Sequence, residues 1–263
     1  MPHPNRKLGR QPRAHANLPH FSQLRRAARR TDIPSAMSWL DRMPQDLGMM
    51  LNGADPADPA APSLGCCTCS ALGHAEQVWS FNATGQMRTI PNPFILKNYE
   101  IFCGYNPADP STDQGGVLQD ILTKLMQTGF QTPEGQDTPL GYVEVDPRLL
   151  SDVREVIALG GIGYAGIDVL DSWTEADAGG VWDTDSSPVA GRHCIVLAGY
   201  DAMSLYAISW GMRFRMTTRA FLSNCDEFYW IADRNWFEQT GQTPGGITRD
   251  ELLAAMQTVR EAA

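Results

Sequence analysis

Three cysteines fall within four residues in the segment Leu64-Gly65-Cys66-Cys67-Thr68-Cys69-Ser70-Ala71-Leu72-Gly73-His74-Ala75. Prolines at positions 56, 59 and 62 disfavour a helix before this segment, so a helix is predicted from about Cys67 to Trp79. Free backbone N–H groups at a helix start favour a thiolate and lower the pKa of a cysteine there. The segment therefore predicts an activated thiol.

A thiol nucleophile needs a base, and only His74 and His193 follow the first 20 residues. His74 lies two turns beyond Cys67 along the same helix, too far to reach its sulfur, and is interpreted as a hydrogen-bonded structural residue. His193 lies in the apolar run 191–200, which predicts a strand. A cysteine at a helix start and a distant histidine on a strand indicate nucleophilic catalysis.

Length and composition favour a large core, since 43% of the 263 residues are hydrophobic. No apolar run approaches the roughly 20 residues that span a bilayer, and the N-terminus lacks the apolar region of a secretory signal. We therefore expect a cytoplasmic protein with reduced cysteines and no membrane contact. No second cysteine or histidine pair follows at zinc-site spacing, so we expect no metal and no cofactor.

Charge is distributed unevenly along the chain. Residues 1–30 carry eight basic side chains and no acidic one, while the rest carries 13 basic against 30 acidic side chains. A basic arm on an acidic body indicates contact with something negative: nucleic acid, a protein partner in an assembly, or the body itself. A solvated tail is the alternative.

Hydrophobic patterns predict helices mainly before residue 160 and strands mainly after it, which favours an α+β fold with two lobes. The predicted helices are 111–128, 147–159, 217–225 and a C-terminal amphipathic helix with Thr248 and Glu251 as its capping box. The predicted strands are 162–169, 191–200, 205–210 and 227–232. A GxGxxG match at 161–166 stands between a helix and a strand, the reverse of the nucleotide-binding order, and is discarded.

The order of these parts resembles the papain-like cysteine peptidases, in their divergent bacterial and bacteriophage form. The resemblance covers about residues 33–235 and rests on Gly65-Cys66-Cys67, Gly115-Gly116, 160–168, 193–201 and Ser209-Trp210-Gly211. It implies a helical N-terminal lobe with a long central helix and a C-terminal lobe built on an antiparallel sheet or barrel. It divides the chain into a basic arm (1–31), a papain-like domain (32–240, with lobes meeting at about 150) and a C-terminal linker and helix (241–263).

The resemblance also implies a mechanism: thiolate attack on a peptide carbonyl, with histidine as base and then acid. Cys67 and His193 would be the catalytic residues, and Gly115 and Gly116 would bind the backbone of a peptide or protein substrate. A second register takes Cys69 as the nucleophile, because Cys66 to Ala71 also fits a Cys-x-x-Cys-x-Ala pattern. We favour Cys67.

Two positions depart from the family pattern. The glutamine that binds the oxyanion is replaced by Ala61 in the Cys67 register and by Ser63 in the Cys69 register, so Asn52 or Gln45 is a candidate substitute. The asparagine that orients the histidine is replaced by Ile208, for which Asp168 or Asp201 could serve. A catalytically impaired assembly protein, such as a component of a bacteriophage virion, is therefore the alternative to a peptidase.

Overall fold

A computed structural model describes residues 6–13, 20–22, 33–52, 63–160, 162–243 and 246–254. The proline-rich stretch 55–62, most of the basic arm and the end of the C-terminal helix lie outside the described residues. Within the described part, no helix is both long and apolar enough to cross a membrane.

The described helices include a long one that begins at the cysteine cluster. They are α1 (Cys67–Thr84), α2 (Asn92–Cys103), α3 (Leu118–Thr128), α4 (Leu150–Gly160), α5 (Asp171–Thr174), α6 (Thr218–Asn224) and α7 (Arg234–Thr240). A 3-10 turn, Pro110–Thr112, lies between α2 and α3.

The strands form one large sheet and one small hairpin. They are β1 (Met37–Ser38), β2 (Phe130–Thr132), β3 (Gly135–Asp137), β4 (Gly141–Glu144), β5 (Gly163–Leu170), β6 (Val181–Trp182), β7 (Val189–Tyr200), β8 (Ser204–Ser209), β9 (Met212–Thr217) and β10 (Cys225–Ala232). The large sheet has the order β4-β10-β5-β7-β8-β9-β6, with β1 added to β7. Its pairs are antiparallel except β6 with β9.

Two hydrophobic cores lie on the two faces of this sheet. Alternate residues of a strand point to opposite faces, so Ile195 and Leu197 of β7 join one core while Cys194 and Val196 join the other. Helices α1, α2 and α3 contribute to the second core, and α4 and α6 to the first. Burial on both faces explains why β7 reads as a continuous apolar run rather than an alternating one.

The α+β prediction with two lobes is confirmed. Helix α1 begins at Cys67 as predicted and continues to Thr84, where Gly85 ends it with a left-handed cap (φ 78°). The predicted capping box is also present, since the N–H of Thr248 donates to the Glu251 carboxylate over 2.8 Å. Strand β4 precedes residue 150 yet belongs to the large sheet through its pairing with β10.

The predicted helix 111–128 is wrong in its first part. Only a single 3-10 turn forms at Pro110–Thr112, and the α-helix begins at Leu118. Gly115 adopts a φ of +75°, which an ordinary right-handed helix does not contain, so the chain at Gly115 and Gly116 is a loop. Helix α2 was not predicted. It begins at Asn92 with Pro91 at its N-cap and Pro93 in its first turn, a position to which proline is well suited.

Candidate active site

The Cys67 side chain lies at the first residue of α1 and is almost completely buried, with 1% of its surface exposed. Backbone N–H groups of Cys194 on β7 and of Gly9 face its sulfur. Cys194, the neighbour of His193 on β7, therefore lies beside the helix start that carries Cys67.

The pKa of the Cys67 thiol is raised to about 12, mainly by burial. The two N–H groups and the charge of Arg10 act in the opposite direction, but they do not outweigh the loss of water. The expectation of a lowered thiol pKa is therefore wrong for this state of the protein. The helix start is present, but water, which would stabilise the thiolate, is excluded.

The other two cysteines of the cluster turn away from β7. The thiol of Cys66 lies 3.4 Å from the Ser70 hydroxyl, one turn along α1. Cys69 is completely buried and hydrogen-bonds to Cys103 at the end of α2. Of the three thiols, only that of Cys67 contacts backbone N–H groups of both Cys194 and Gly9.

The His193 ring is held by two consecutive residues at the end of β8. Its Nε2 lies 2.8 Å from the Ser209 hydroxyl, and its plane stacks on the Trp210 indole with ring centroids 4.6 Å apart. Its Nδ1 is buried without a hydrogen-bond partner among the described residues. The pKa of His193 is lowered to about 3 by burial and by the charges of Arg10 and Arg6, so the imidazole is neutral.

Ser209 is a residue that sequence reasoning missed for this role. It directly follows Ile208, which occupies the family's asparagine position. A polar side chain one residue after that position was the feature of the sequence that could have identified it. The two proposed substitutes are engaged elsewhere: Asp168 lies 3.6 Å from Arg10 and from Arg192, and Asp201 accepts from Tyr206 over 2.8 Å.

Residues 6–13, which we call the N-terminal segment, lie between the loop at Gly115 and Gly116 and strand β7, in a space that we call the groove. Gly116 donates its N–H to the Gly9 carbonyl and accepts at its own carbonyl from the Gln11 N–H, both over 2.8 Å. The Arg10 N–H in turn donates to the Arg192 carbonyl over 3.3 Å. The segment is thus bound by its backbone, parallel to the chain at Gly116.

Glycines allow this close approach. A Cβ on Gly9 would lie 1.9 Å from the Gly65 carbonyl oxygen, and a Cβ on Gly115 would lie 1.6 Å from the Gly9 carbonyl oxygen. Any side chain at these positions would push the segment out of the groove.

The basic side chains of the N-terminal segment meet carboxylates of the acidic body. Lys7 pairs with Asp113, Arg10 with Glu227 and Asp226, and Arg13 with Glu144. Arg6 instead lies over the Trp210 ring, 4.6 Å from its centroid, and donates to the Thr174 carbonyl over 2.7 Å. For the described part of the arm, the negative surface that it contacts is the protein's own.

Asn52 and Gln45, the two candidates for an oxyanion donor, differ sharply in position. Asn52 is buried, and its Nδ2 donates to the Leu64 carbonyl over 3.1 Å and to the Lys7 carbonyl over 3.0 Å. Gln45 is exposed and has a long contact of 3.4 Å to the Arg213 carbonyl. Only Asn52 contacts the segment in the groove. Position 61 lies outside the described residues.

His74 has the structural role expected for it. It is buried on α1, and its Nδ1 lies 2.8 Å from the Gln77 side-chain oxygen. Burial lowers its pKa to about 4, so it is neutral. Among the described residues, no group of three His, Cys, Asp or Glu side chains could hold a metal ion.

Solved structures with the same architecture include two cysteine proteases and a procathepsin. Xylellain, a cysteine protease from Xylella fastidiosa, is 17% identical, with a TM-score of 0.58 over 87% of this chain and 97% of that one. Digestive procathepsin L 3 of Tenebrio molitor larval midgut is 11% identical, with a TM-score of 0.58 over 87% and 76% of the two chains. The Carica candamarcensis cysteine protease CMS1MS2, solved in complex with E-64, is 13% identical, with a TM-score of 0.52 over 76% and 99%.

The chain therefore has the papain-like fold, in a divergent form. No protein-family model matches its sequence, and no curated protein matches it either.

Proposed function

We propose that the chain is a papain-like cysteine peptidase with Cys67 as nucleophile and His193 as base. The observation that carries the proposal is the peptide in the groove: the N-terminal segment is bound by its backbone to Gly116 and passes beside the Cys67 thiol. A groove that binds an extended peptide next to a buried thiol fits peptide-bond chemistry. Gly115 and Gly116 are the proposed substrate-binding residues.

The proposed reaction uses the unpartnered nitrogen of His193. In the proposed open state the Cys67 thiol, which makes no hydrogen bond to Nδ1 in this structure, gives its proton to Nδ1, and the thiolate attacks the peptide carbonyl carbon to form a tetrahedral oxyanion. Collapse of this intermediate breaks the C–N bond, and the imidazolium protonates the leaving amine. Water then attacks the thioester with His193 again as base, which releases the acid and restores the thiol.

Asn52 is the proposed oxyanion donor, in place of the missing glutamine. Its Nδ2 carries two hydrogens: one is fixed on the Leu64 carbonyl and the other already donates to a peptide carbonyl, that of Lys7. Together with the backbone N–H of Cys67 at the helix start, it would supply two donors to the developing negative charge.

Cys67 is preferred to Cys69 because its sulfur lies between β7 and the N-terminal segment, whereas that of Cys69 faces Cys103 inside the helical lobe. The assembly role suggested by Ala61, Ile208 and the basic arm gains nothing from the three structures above, which are described as cysteine proteases or a procathepsin. Ser209 also supplies the polar contact that Ile208 cannot.

The N-terminal segment occupies the groove, so we propose that the structure is a self-blocked state from which the segment must move. The test is hydrolysis of a fluorogenic peptide library by the full chain carrying Gly9→Ala, which displaces the segment by collision with Gly65. Adding Cys67→Ala should abolish cleavage, while the matched addition of Cys69→Ala should leave it. Cleavage that survives Cys67→Ala, or no cleavage by any of these proteins, would overturn the proposal.

A further inference from the structure

One side chain of the N-terminal segment is completely buried although it is charged. The Arg10 side chain has no exposed surface, and its Nη1 lies 2.5 Å from the Glu227 carboxylate. Its Nη2 lies 2.8 Å from an Asp226 carboxylate oxygen and 3.6 Å from one of Asp168. We call these three carboxylates, Asp168, Asp226 and Glu227, the acidic pocket.

The acidic pocket has room for an arginine because Gly166 forms its wall. Gly166 on β5 pairs with Glu227 on β10, so the two lie side by side in the sheet. A Cβ on Gly166 would stand 2.9 Å from Nη1 and 3.0 Å from Cδ of Arg10. Because Gly166 has no side chain, the Arg10 guanidinium can enter the acidic pocket at this point.

Glu227 needs a cation from whatever occupies the groove. It has no exposed surface, and besides Arg10 the contact it makes is with the Tyr229 hydroxyl, which donates over 2.9 Å. A buried carboxylate without a cation destabilises the fold or takes up a proton. Burial already raises the pKa of Glu227, even with Arg10 in place.

The geometry favours arginine over lysine. Two nitrogens of one guanidinium reach two different carboxylates, Glu227 and Asp226, at the same time. An ammonium group is a single point charge and would pair with one of them at hydrogen-bonding distance while leaving the other without a direct partner.

We infer that the acidic pocket selects peptides that place an arginine side chain between Asp226 and Glu227, and that such peptides compete with Arg10 for the groove. The inference rests on the proposed function, because it names the substrate class of the same groove. It makes Glu227 a specificity-determining residue and Gly166 the residue that keeps the pocket open.

The test is peptide binding to the full chain carrying Arg10→Ala, which empties the pocket. The probe is a fluorescent eight-residue peptide with the sequence of residues 6–13, together with versions in which the residue matching Arg10 is lysine or norleucine. We expect the arginine peptide to bind about tenfold or more tightly than either. Equal binding of the three peptides would overturn the inference.

Two pocket variants and one control sharpen this result. Glu227→Gln and Gly166→Ala should each remove most of the preference for arginine over norleucine, while Glu144→Gln, which faces Arg13 instead, should keep it. If Glu227→Gln does not fold, the preference for arginine measured with Gly166→Ala tests the inference. A preference that survives a folded pocket variant contradicts the inference.

Mass spectrometry of the same mixtures separates the two proposals. Discrimination among intact, uncut peptides would support the acidic pocket and contradict the peptidase. Cleavage of all three peptides with equal binding would support the peptidase and contradict the selection of arginine by the acidic pocket.

Discussion

The Nε2 atom of His193 lies 2.8 Å from the Ser209 hydroxyl, and the next residue, Trp210, covers the face of the same ring. One strand end thus provides both a polar and an apolar contact to the imidazole. Trp210 has a φ of 47° and is followed by Gly211 at 71°, a turn that sets the indole beneath the ring. The ring is oriented without the asparagine that the family resemblance implies.

Ser209→Ala should lower kcat for peptide hydrolysis by about tenfold or more, because the imidazole loses the contact that fixes its orientation. Ser209→Thr keeps a hydroxyl and should restore most of the activity. The measurement is kcat and KM in the Gly9→Ala background, together with the pH dependence of kcat/KM. A purely structural role would leave that pH dependence unchanged and would instead lower the thermal stability of both variants.

Displacing the N-terminal segment should expose the Cys67 thiol. In the native chain the pKa of this thiol is about 12 and its side chain is 1% exposed, so iodoacetamide should modify it slowly at neutral pH. Gly9→Ala should raise the modification rate at least tenfold. Rates are followed by peptide mass spectrometry, which distinguishes Cys67 from Cys66 and Cys69.

Pro12→Ala is the matched control for this experiment. Pro12 belongs to the same segment but is exposed, so its replacement should leave the segment in the groove and the rate unchanged. Equal acceleration by the two variants would show that the segment is held too weakly to block the site.

Asn52→Ala should reduce kcat by about a hundredfold with little change in KM, which is typical of a lost oxyanion donor. Gln45→Ala provides the comparison, because Gln45 was the other candidate and has no contact with the N-terminal segment. It should leave kcat unchanged. Asn52 also binds the Leu64 carbonyl, so thermal unfolding should be measured alongside kinetics; a fall in stability with unaltered kcat would assign Asn52 a structural role alone.

The two buried histidines should make the fold sensitive to acid. Folding lowers the pKa of His74 from 6.5 to about 4, so the unfolded chain binds more protons between these values. Stability from this group is therefore complete above pH 6.5 and is lost as the pH falls towards 4, by about 3 kcal/mol. His74→Gln should flatten this part of the curve of unfolding free energy against pH, measured in urea. An unchanged slope between pH 6.5 and 4 would contradict the assignment.

Local sequence signals were sufficient for the elements that position the site. The prolines before Cys67, the apolar run around His193 and the Ser-Trp-Gly ending of β8 each depend on neighbouring residues, and all three elements form where expected. The loop at Gly115 falls within the predicted helix 111–128, although its paired glycines allow unusual dihedrals. The φ of +75° at Gly115 is fixed by the folded chain.

Long-range contacts were the part that the sequence could not provide. The charge asymmetry indicated that the arm meets an acidic surface, yet the pairing of Arg10 with Glu227 joins residues 217 positions apart. The raised thiol pKa likewise follows from burial in the folded chain, which excludes water from Cys67. The burial and the pKa of this thiol depend on contacts between distant parts of the chain, which the sequence around Cys67 does not predict.

The most direct measurement is the pH dependence of Cys67 alkylation in full-length Gly9→Ala protein, with and without His193→Ala. With the groove open and the charges of Arg6 and Arg10 removed, the thiolate should be paired with imidazolium, so that modification is already rapid below pH 7. His193→Ala should abolish the rapid modification of Cys67 below pH 7, so that Cys67 reacts only at alkaline pH. The modification of Cys69 should be slow at every pH in both proteins. Identical profiles for the two proteins would contradict the Cys67–His193 pair.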